Sequence, residues 1–346
     1  MTIGSLDPVT DPLWSALVSR RRGGLFHSPL WLGAVQDAYG FPLQARVVTG
    51  QDGQATAGIP YACLEGPPAP RLVAAPFCDT CDPLFEQPEE WGELLAGLEA
   101  HQLPIHLRCL DAELPDQARF TVTKRARWHT IPLLPSAEER WQAIDASTQR
   151  AIRKAKREGV QIRPLAPGSD LADFHRLHVA LRKTKYRLLA QPLAFFEAIA
   201  RRFQDAGHWH ALGAWVGDRL VAGTVYLRWG DTLYYKFNAS SLAALDARPN
   251  SLLTWEGMEL ASSLGCRRLD LGPSDDDQPG LIRFKRQFGA AERELRFLRL
   301  DPPPWDDHPA LAPKRMLGEL TQLLTRPEVP DAITAEAGAQ LYRYFA

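Results

Sequence analysis

Apolar positions recur at helical spacing in two stretches that open alike. One begins Pro29-Leu-Trp-Leu32 and runs to Gly40, and the other begins Pro192-Leu-Ala-Phe-Phe196 and runs to Gly207. In the second, Leu193, Phe196, Ala200 and Phe203 share one helix face. Proline suits the first helical position in both, because an N–H there has no partner within the helix. After each helix the apolar period drops to that of a strand. Strands are predicted over 44–48 and 57–61 around Asp52-Gly53, and over 211–216 and 222–226 around Gly217-Asp218, so each pair reads as a hairpin. Both second strands carry Ala-Gly-x-x-Tyr. A third strand follows at 71–75 or 232–237, then a helix at 89–101 or 250–264, then a strand at 105–110 or 267–271. The order helix, hairpin, strand, helix, strand thus occurs twice. Identities between the copies are few, and the agreement in order and spacing favours duplication over chance.

Between the copies, Ser136 and Glu139 have capping-box spacing and open a long helix. Trp141, Ile144, Thr148, Ile152 and Ala155 form its less polar stripe, and Gly159 suits its C-terminal cap. Past Asp301, Pro302-Pro-Pro304 breaks the pattern, and helices are predicted over 313–324 and 331–344. The expectation is an α/β chain with a mixed sheet in each copy: domains 1–135 and 161–301, a connecting helix 136–160 and a helical tail 302–346.

Charge narrows the partners. Forty basic residues against 41 acidic ones in 346 exclude a uniformly basic nucleic-acid coat, so DNA is not an expected partner, while a local basic patch stays open. No apolar run reaches the ~18–20 residues of a membrane span. Residues 1–26 do not read as a signal peptide, and five cysteines without framework spacing suit a reducing compartment, so a cytoplasmic location is expected.

One such patch is Arg150, Arg153, Lys154 and Arg157, at i, i+3, i+4 and i+7 on the connecting helix. Their mutual repulsion would be offset by phosphate or RNA; a solvated face is the plainer alternative. A second cluster, Arg182, Lys183, Lys185 and Arg187, ends a helix over 171–181, where the helix dipole already favours cations. Tyr186 in its middle could stack on a ring or cover an acyl chain. In 279–289, Leu281, Phe284 and Phe288 make an apolar stripe with Lys285 beside it, so Lys285 must snorkel or find a partner. Aimed into a cleft, its ammonium could serve an oxyanion or a phosphate. Upstream, a strand ends in Gly272-Pro-Ser-Asp-Asp-Asp277, with Ser274 and Asp275 nearest the strand end, where ligands of open α/β sheets gather. Asn250 and Ser251 open a helix whose N–H groups could bind an anion or be capped by their own side chains.

Other chemistries fit poorly. Cys78-x-x-Cys81 has no second pair, and His175 and His178 share a helix face without a carboxylate or third histidine at ligand spacing, so no metal is expected; His208 and His210 alternate on a predicted strand, where one could be a base. No serine lies in a Gly-x-Ser-x-Gly turn, and neither the dinucleotide nor the P-loop fingerprint occurs.

Three segments resemble one family. Gln149-Arg-Ala-Ile-Arg-Lys-Ala-Lys-Arg-Glu-Gly-Val160, Gly280-Leu-Ile-Arg-Phe-Lys-Arg-Gln-Phe-Gly289 and Pro76-Phe-Cys-Asp-Thr-Cys-Asp-Pro-Leu84 are similar to motifs of FemA/FemB-like proteins, a branch of the GCN5-related acetyltransferase (GNAT) superfamily. The resemblance spans about residues 25–300. It implies two tandem GNAT-like domains and acyl transfer to an amine. Fem enzymes use aminoacyl-tRNA and extend peptidoglycan cross-bridges, whereas other relatives use acyl-CoA, so the amine of a cell-wall precursor is a candidate acceptor. The resemblance also implies that Lys285, with Phe284 beside it, polarises the reacting carbonyl. The Fem coiled coil has no counterpart, and residues 239–249 lack the usual pyrophosphate loop for acyl-CoA. The sequence reading is therefore an N-acyltransferase with its site in the second copy. Asp275 would orient or deprotonate the amine, and Tyr235, Lys236 and Asn238 would line the cleft. The co-substrate would be aminoacyl-tRNA, slightly preferred, or acyl-CoA, with no tightly bound cofactor. The alternative from another class is a non-catalytic GNAT-fold binder of an anionic ligand.

Overall fold

The computed structural model describes residues 2–305 and 308–346. Its elements are β1 (Thr2–Leu6), α1 (Pro12–Arg20), α2 (Pro29–Tyr39), β2 (Leu43–Thr49), β3 (Ala55–Leu64), β4 (Arg71–Ala74), α3 (Pro88–Glu99), β5 (Ile105–Cys109), β6 (Thr121–Pro132), α4 (Ala137–Ala143), α5 (Ala146–Arg157), β7 (Gln161–Pro164), α6 (Ser169–Leu181), α7 (Leu193–Asp205), β8 (Leu212–Val216), β9 (Arg219–Trp229), β10 (Thr232–Ser240), α8 (Pro249–Ser263), β11 (Arg268–Ser274), α9 (Pro279–Arg286), β12 (Ala291–Leu300), α10 (His308–Leu324) and α11 (Asp331–Leu341). The chain divides into one unit of Met1–Ala126, Glu294–Glu319 and Arg343–Ala346, and another of Arg127–Arg293 and Leu320–Tyr342. These borders fall inside β6, β12 and α10, where sequence reading placed them at 135 and 301.

Each unit repeats one strand pattern. In the first, β1 to β4 form an antiparallel meander, β4 pairs in parallel with β5, and β12 closes antiparallel on β5. In the second, β7 to β10 form the meander, β10 pairs in parallel with β11, and β6 closes antiparallel on β11. Thus β6 follows β5 in the chain yet completes the second unit, and β12 completes the first. Trp14, Trp31 and Trp91 are buried in the first core; Tyr226, Leu253, Met258 and Phe288 sit in the second.

Local chemistry explains the elements. Ser28 accepts from Trp31 N at 3.1 Å to start α2, with Pro29 at the first helical position. Gly40 ends α2 at φ +66°, where a side chain would be strained. Pro192 instead caps α7 from just outside it. The connecting helix is not continuous. The Ser136–Glu139 capping box starts α4 as expected, but Ile144 is extended and buried, and Asp145 restarts the chain as α5 by accepting from Ser147 N at 2.8 Å. A fresh N-cap directly after the extended Ile144 separates the two helices. α6 runs on into a π-helical turn, Arg182–Tyr186, closed by Arg187 at φ +55°. No described helix is long and apolar enough to cross a membrane.

Candidate active site

β10 and β11 share rungs from Thr232–Arg268 to Tyr234–Asp270. Beyond these, β10 continues to Ser240 on β9, and β11 to Ser274 on β6. Each strand carries a bulge just past the last shared rung, between Tyr235 and Phe237 and between Asp270 and Gly272. Bulges bend strands and end pairing, so the sheet opens at the carboxyl ends of its parallel pair. The β11 bulge is locked from the side. Asp270 accepts from Trp128 Nε1 at 2.8 Å and from Gly272 N at 2.8 Å, while Gly272 sits at φ +65°. Sequence reading ended this strand at 271; Ser274 in fact belongs to it.

Lys285 meets this strand end. Its Nζ donates to the carbonyls of Gly272 at 2.9 Å and Pro273 at 2.8 Å, and the residue is only 4% exposed. It does not snorkel. The buried stripe of α9 is Ile282 and Lys285, continued by Phe288, rather than Leu281, Phe284 and Phe288 with the lysine beside it. Phe284 is half-buried with its ring 5.2 Å from Phe288. Two carbonyls turned toward α9 by the bulge supply the partners that make burial of an ammonium possible.

Around this anchor lies a group that sequence reading missed. His129, on β6 opposite Gly272, is fully buried, and neither ring nitrogen has a hydrogen-bond partner among the described residues. Its Nδ1 lies 3.6 Å from Glu292 Oε1, too far for a hydrogen bond. Burial first, then the Lys285 ammonium, push its pKa down to about 4, so the imidazole is neutral at neutral pH. Ser274 Oγ is likewise buried without a partner. Glu292 is held down to about 2, chiefly by Arg286, and Arg127 bridges Glu292 and Asp276. Nothing in the sequence singles out His129, because it sits in a strand rich in Thr, Lys and Arg.

Across the opening, Asn238 Nδ2 donates to Gly223 O at 3.1 Å, Thr224 Oγ1 at 3.0 Å and Asn250 Oδ1 at 3.3 Å, while Asn250 Nδ2 reaches Ser240 Oγ at 3.2 Å. The two predicted asparagines are thus joined. Burial holds the half-buried Tyr235 phenol above its usual range, against a bond from Thr224 and aided by nearby Tyr186. Tyr186, 38% exposed, therefore sits beside Tyr235 from the π-helical turn. Lys236 lies half-buried with its Nζ 4.9 Å from the Phe237 ring centre. Asp275 is half-buried, while Asp276 pairs with Arg127 and Asp277 is exposed. α8 starts one residue earlier than predicted, at Pro249, which has no N–H. Ser251 N donates to Arg248 O at 3.2 Å. Its first turn therefore offers few free donors to an anion.

The basic clusters separate. On α5, Arg150, Arg153 and Arg157 are exposed and Lys154 half-buried, opposite buried Thr148, Ile152 and Ala155, with Arg153 stacked 5.2 Å over Trp141. The cluster after α6 is structural at its core. Lys183, 6% exposed, binds Val329 O and, at 2.8 Å, Asp331. Arg182 donates to Leu189 O at 2.6 Å, and Arg187 donates to Thr325 O at 2.6 Å. Neither Arg182 nor Lys183 is brought to the opening by these bonds.

Residues 145–286 match the acetyltransferase (GNAT) domain family, a span running from the start of α5 to the end of α9. No curated protein matches the sequence. Among solved structures the chain is similar to FemX, at 14% identity and a TM-score of 0.66 over 86% of this chain and 97% of that one. It is also similar to a tandem GNAT protein from the clavulanic acid biosynthesis pathway, at 13% and 0.58 over 88% and 99%. L-PGS from Bacillus licheniformis matches at 15% and 0.55 over 91% and 98%. These likenesses give the fold: two GNAT-type units in tandem.

Proposed function

We propose that the second unit, whose residues 145–286 match the GNAT acetyltransferase family, acts as a Fem-like acyltransferase and moves an acyl or aminoacyl group from an activated ester or thioester to an amine. The observation that carries the proposal is the opening between β10 and β11, with Lys285 anchored at its β11 side and Tyr235, Tyr186 and the Asn238–Asn250 pair on its β10 side. The amine nitrogen attacks the acyl carbon, and the carbonyl oxygen becomes an oxyanion. The Lys285 ammonium, fixed by two carbonyls, stabilises that charge without having to reorganise. Asp275 takes the proton that the amine must lose and returns it to the leaving oxygen or sulfur as the bond from the acyl carbon to the donor breaks. His129, neutral behind Lys285, keeps a second positive charge away from it.

The preferred donor is aminoacyl-tRNA. The exposed Arg150, Arg153 and Arg157 support it, as does the donor-poor first turn of α8, where a CoA pyrophosphate would otherwise bind. The match to an acetyltransferase family keeps acyl-CoA as the second reading. The acceptor follows the Fem resemblance as an amine of a cell-wall precursor.

The test is a titration of the purified protein at low and moderate salt with deacylated tRNA and with acetyl-CoA. Salt-sensitive tRNA binding without CoA binding supports the preferred donor. CoA binding alone replaces it with acyl-CoA, and binding of neither overturns both.

A further inference from the structure

In the first unit, β3 and the residues after α3 bring a nucleophile, a base and a fixed order of protons together. Cys63 Sγ lies 3.6 Å from His101 Nδ1. The other ring nitrogen, Nε2, lies 3.3 Å from Tyr61 Oη, and Tyr61 donates its hydroxyl proton to Gln44 Oε1 at 2.7 Å. That bond uses the only proton Tyr61 has, so its oxygen can only accept from His101. Nε2 must therefore carry the ring hydrogen, and Nδ1 faces the thiol as a bare lone pair. This is the tautomer that can take a proton from Cys63. The array is held rigid, because Tyr61 is 2% exposed, Gln44 faces it across the β2–β3 ladder, and its ring meets the imidazole edge-on at 5.4 Å.

Cys63 is also reachable. The other four cysteines are buried and Cys63 is not. It lines a cavity of about 270 Å³ together with Phe41, Leu64, Arg71 and Tyr344. That volume lies just below the usual ~300–1,000 Å³ of small-molecule sites, so it suits a small group. Arg71 forms a wall rather than an anion site, because its guanidinium already binds the carbonyls of Pro67, Ala69, Tyr344 and Ala346. Burial and the charge of Glu65 hold the Cys63 thiol above its usual value, so it stays protonated at neutral pH and depends on the base beside it.

We propose that Cys63 is a second acyl-accepting centre, which takes a small acyl group from a thioester with His101 as general base. The bond from Sγ to the acyl carbon forms and the donor carbon–sulfur bond breaks. The thiol proton passes to His101 Nδ1 and then to the departing thiolate, so one thioester is exchanged for another with no oxidant or reductant. The step involves no amine and does not depend on the reading of the second unit.

The experiment incubates the full chain with S-acetyl-N-acetylcysteamine at neutral pH and follows acetylation by intact mass and peptide mapping. One acetyl group on Cys63 is expected, absent from Cys63→Ala. His101→Ala should slow it about a hundredfold, the usual scale of lost general-base catalysis. Tyr61→Phe keeps the ring, frees the tautomer and should slow it less. Thermal unfolding checks that each variant folds. Acetylation of Cys63→Ala at the wild-type rate overturns the proposal, as does a His101→Ala rate equal to wild type, which would leave Cys63 an ordinary accessible thiol.

Discussion

Replacing His129 by leucine isolates the buried imidazole behind Lys285. Near pH 7.5 the ring is neutral in both folded and unfolded chains, and its two buried nitrogens lack hydrogen-bond partners among the described residues. Leucine is of similar size and removes those polar atoms, so stability should hold or rise by about 1 kcal/mol. The effect of acid is larger. An unfolded histidine takes up a proton below about 6.5, whereas the folded site resists until about 4. The folded value is the lower one, so the unfolded chain binds more protons in that window and stability falls as the pH drops. At 1.36 kcal/mol per pH unit, the loss due to His129 is roughly 2 kcal/mol at pH 5 and approaches about 3 kcal/mol below pH 4. His106, near 4, and His178, near 3, add their own losses, but both cancel in the difference between wild type and variant. Urea unfolding of the two proteins at about pH 7.5 and about pH 5 measures that difference. The gap should widen by about 2 kcal/mol in favour of His129→Leu. Stability curves that stay parallel from pH 7.5 to pH 5 refute the reasoning.

Three further outcomes are expected. Lys285→Met should lower single-turnover transfer by about a hundred- to a thousandfold and stability by about 2–3 kcal/mol, because two buried carbonyls lose a charged donor; undiminished turnover removes the oxyanion role. Gly257→Ala should cost about 1–3 kcal/mol in thermal unfolding, since its Cβ would lie 2.3 Å from Tyr226 Oη, the hydroxyl that binds Leu253 O at 2.8 Å; an unchanged midpoint contradicts that contact. The triple variant Arg150→Gln, Arg153→Gln and Arg157→Gln should flatten the logarithmic salt dependence of tRNA binding by about 2–3, and an equal slope rejects α5 as the phosphate contact.

What was legible in the chain is what local chemistry decides. The proline-led starts of α2 and α7, the glycine turns of the two hairpins and the Ser136 capping box each depend on neighbours in sequence. The repeat they compose is the GNAT-type fold seen in both units. What was hidden depends on distant partners. β6 carries Thr, Lys and Arg and β12 carries Arg and Glu, residues that read as a solvated surface or a helix until a neighbouring strand is known. The place of Lys285 within the buried stripe follows from the carbonyls of Gly272 and Pro273, which are aimed at it by a bulge that Trp128 locks from another strand. Tyr186 lies near Tyr235, whereas its neighbours Arg182 and Lys183 are tied to backbone carbonyls and to Asp331.

Those ties set an order of assembly. The turn that carries Tyr186 is pinned through Lys183 and Arg187 to Thr325, Val329 and Asp331, contacts that span 138 to 148 residues of chain. Contacts so distant in sequence close late, after the entropy of a long loop has been overcome. As the chain leaves the ribosome, strands β7 to β11 are complete while the Tyr186 turn still waits for its anchors. The sheet therefore exists in nascent form before its Tyr186 turn is pinned, and residues 325–331, emerging more than 130 positions later, supply the anchors.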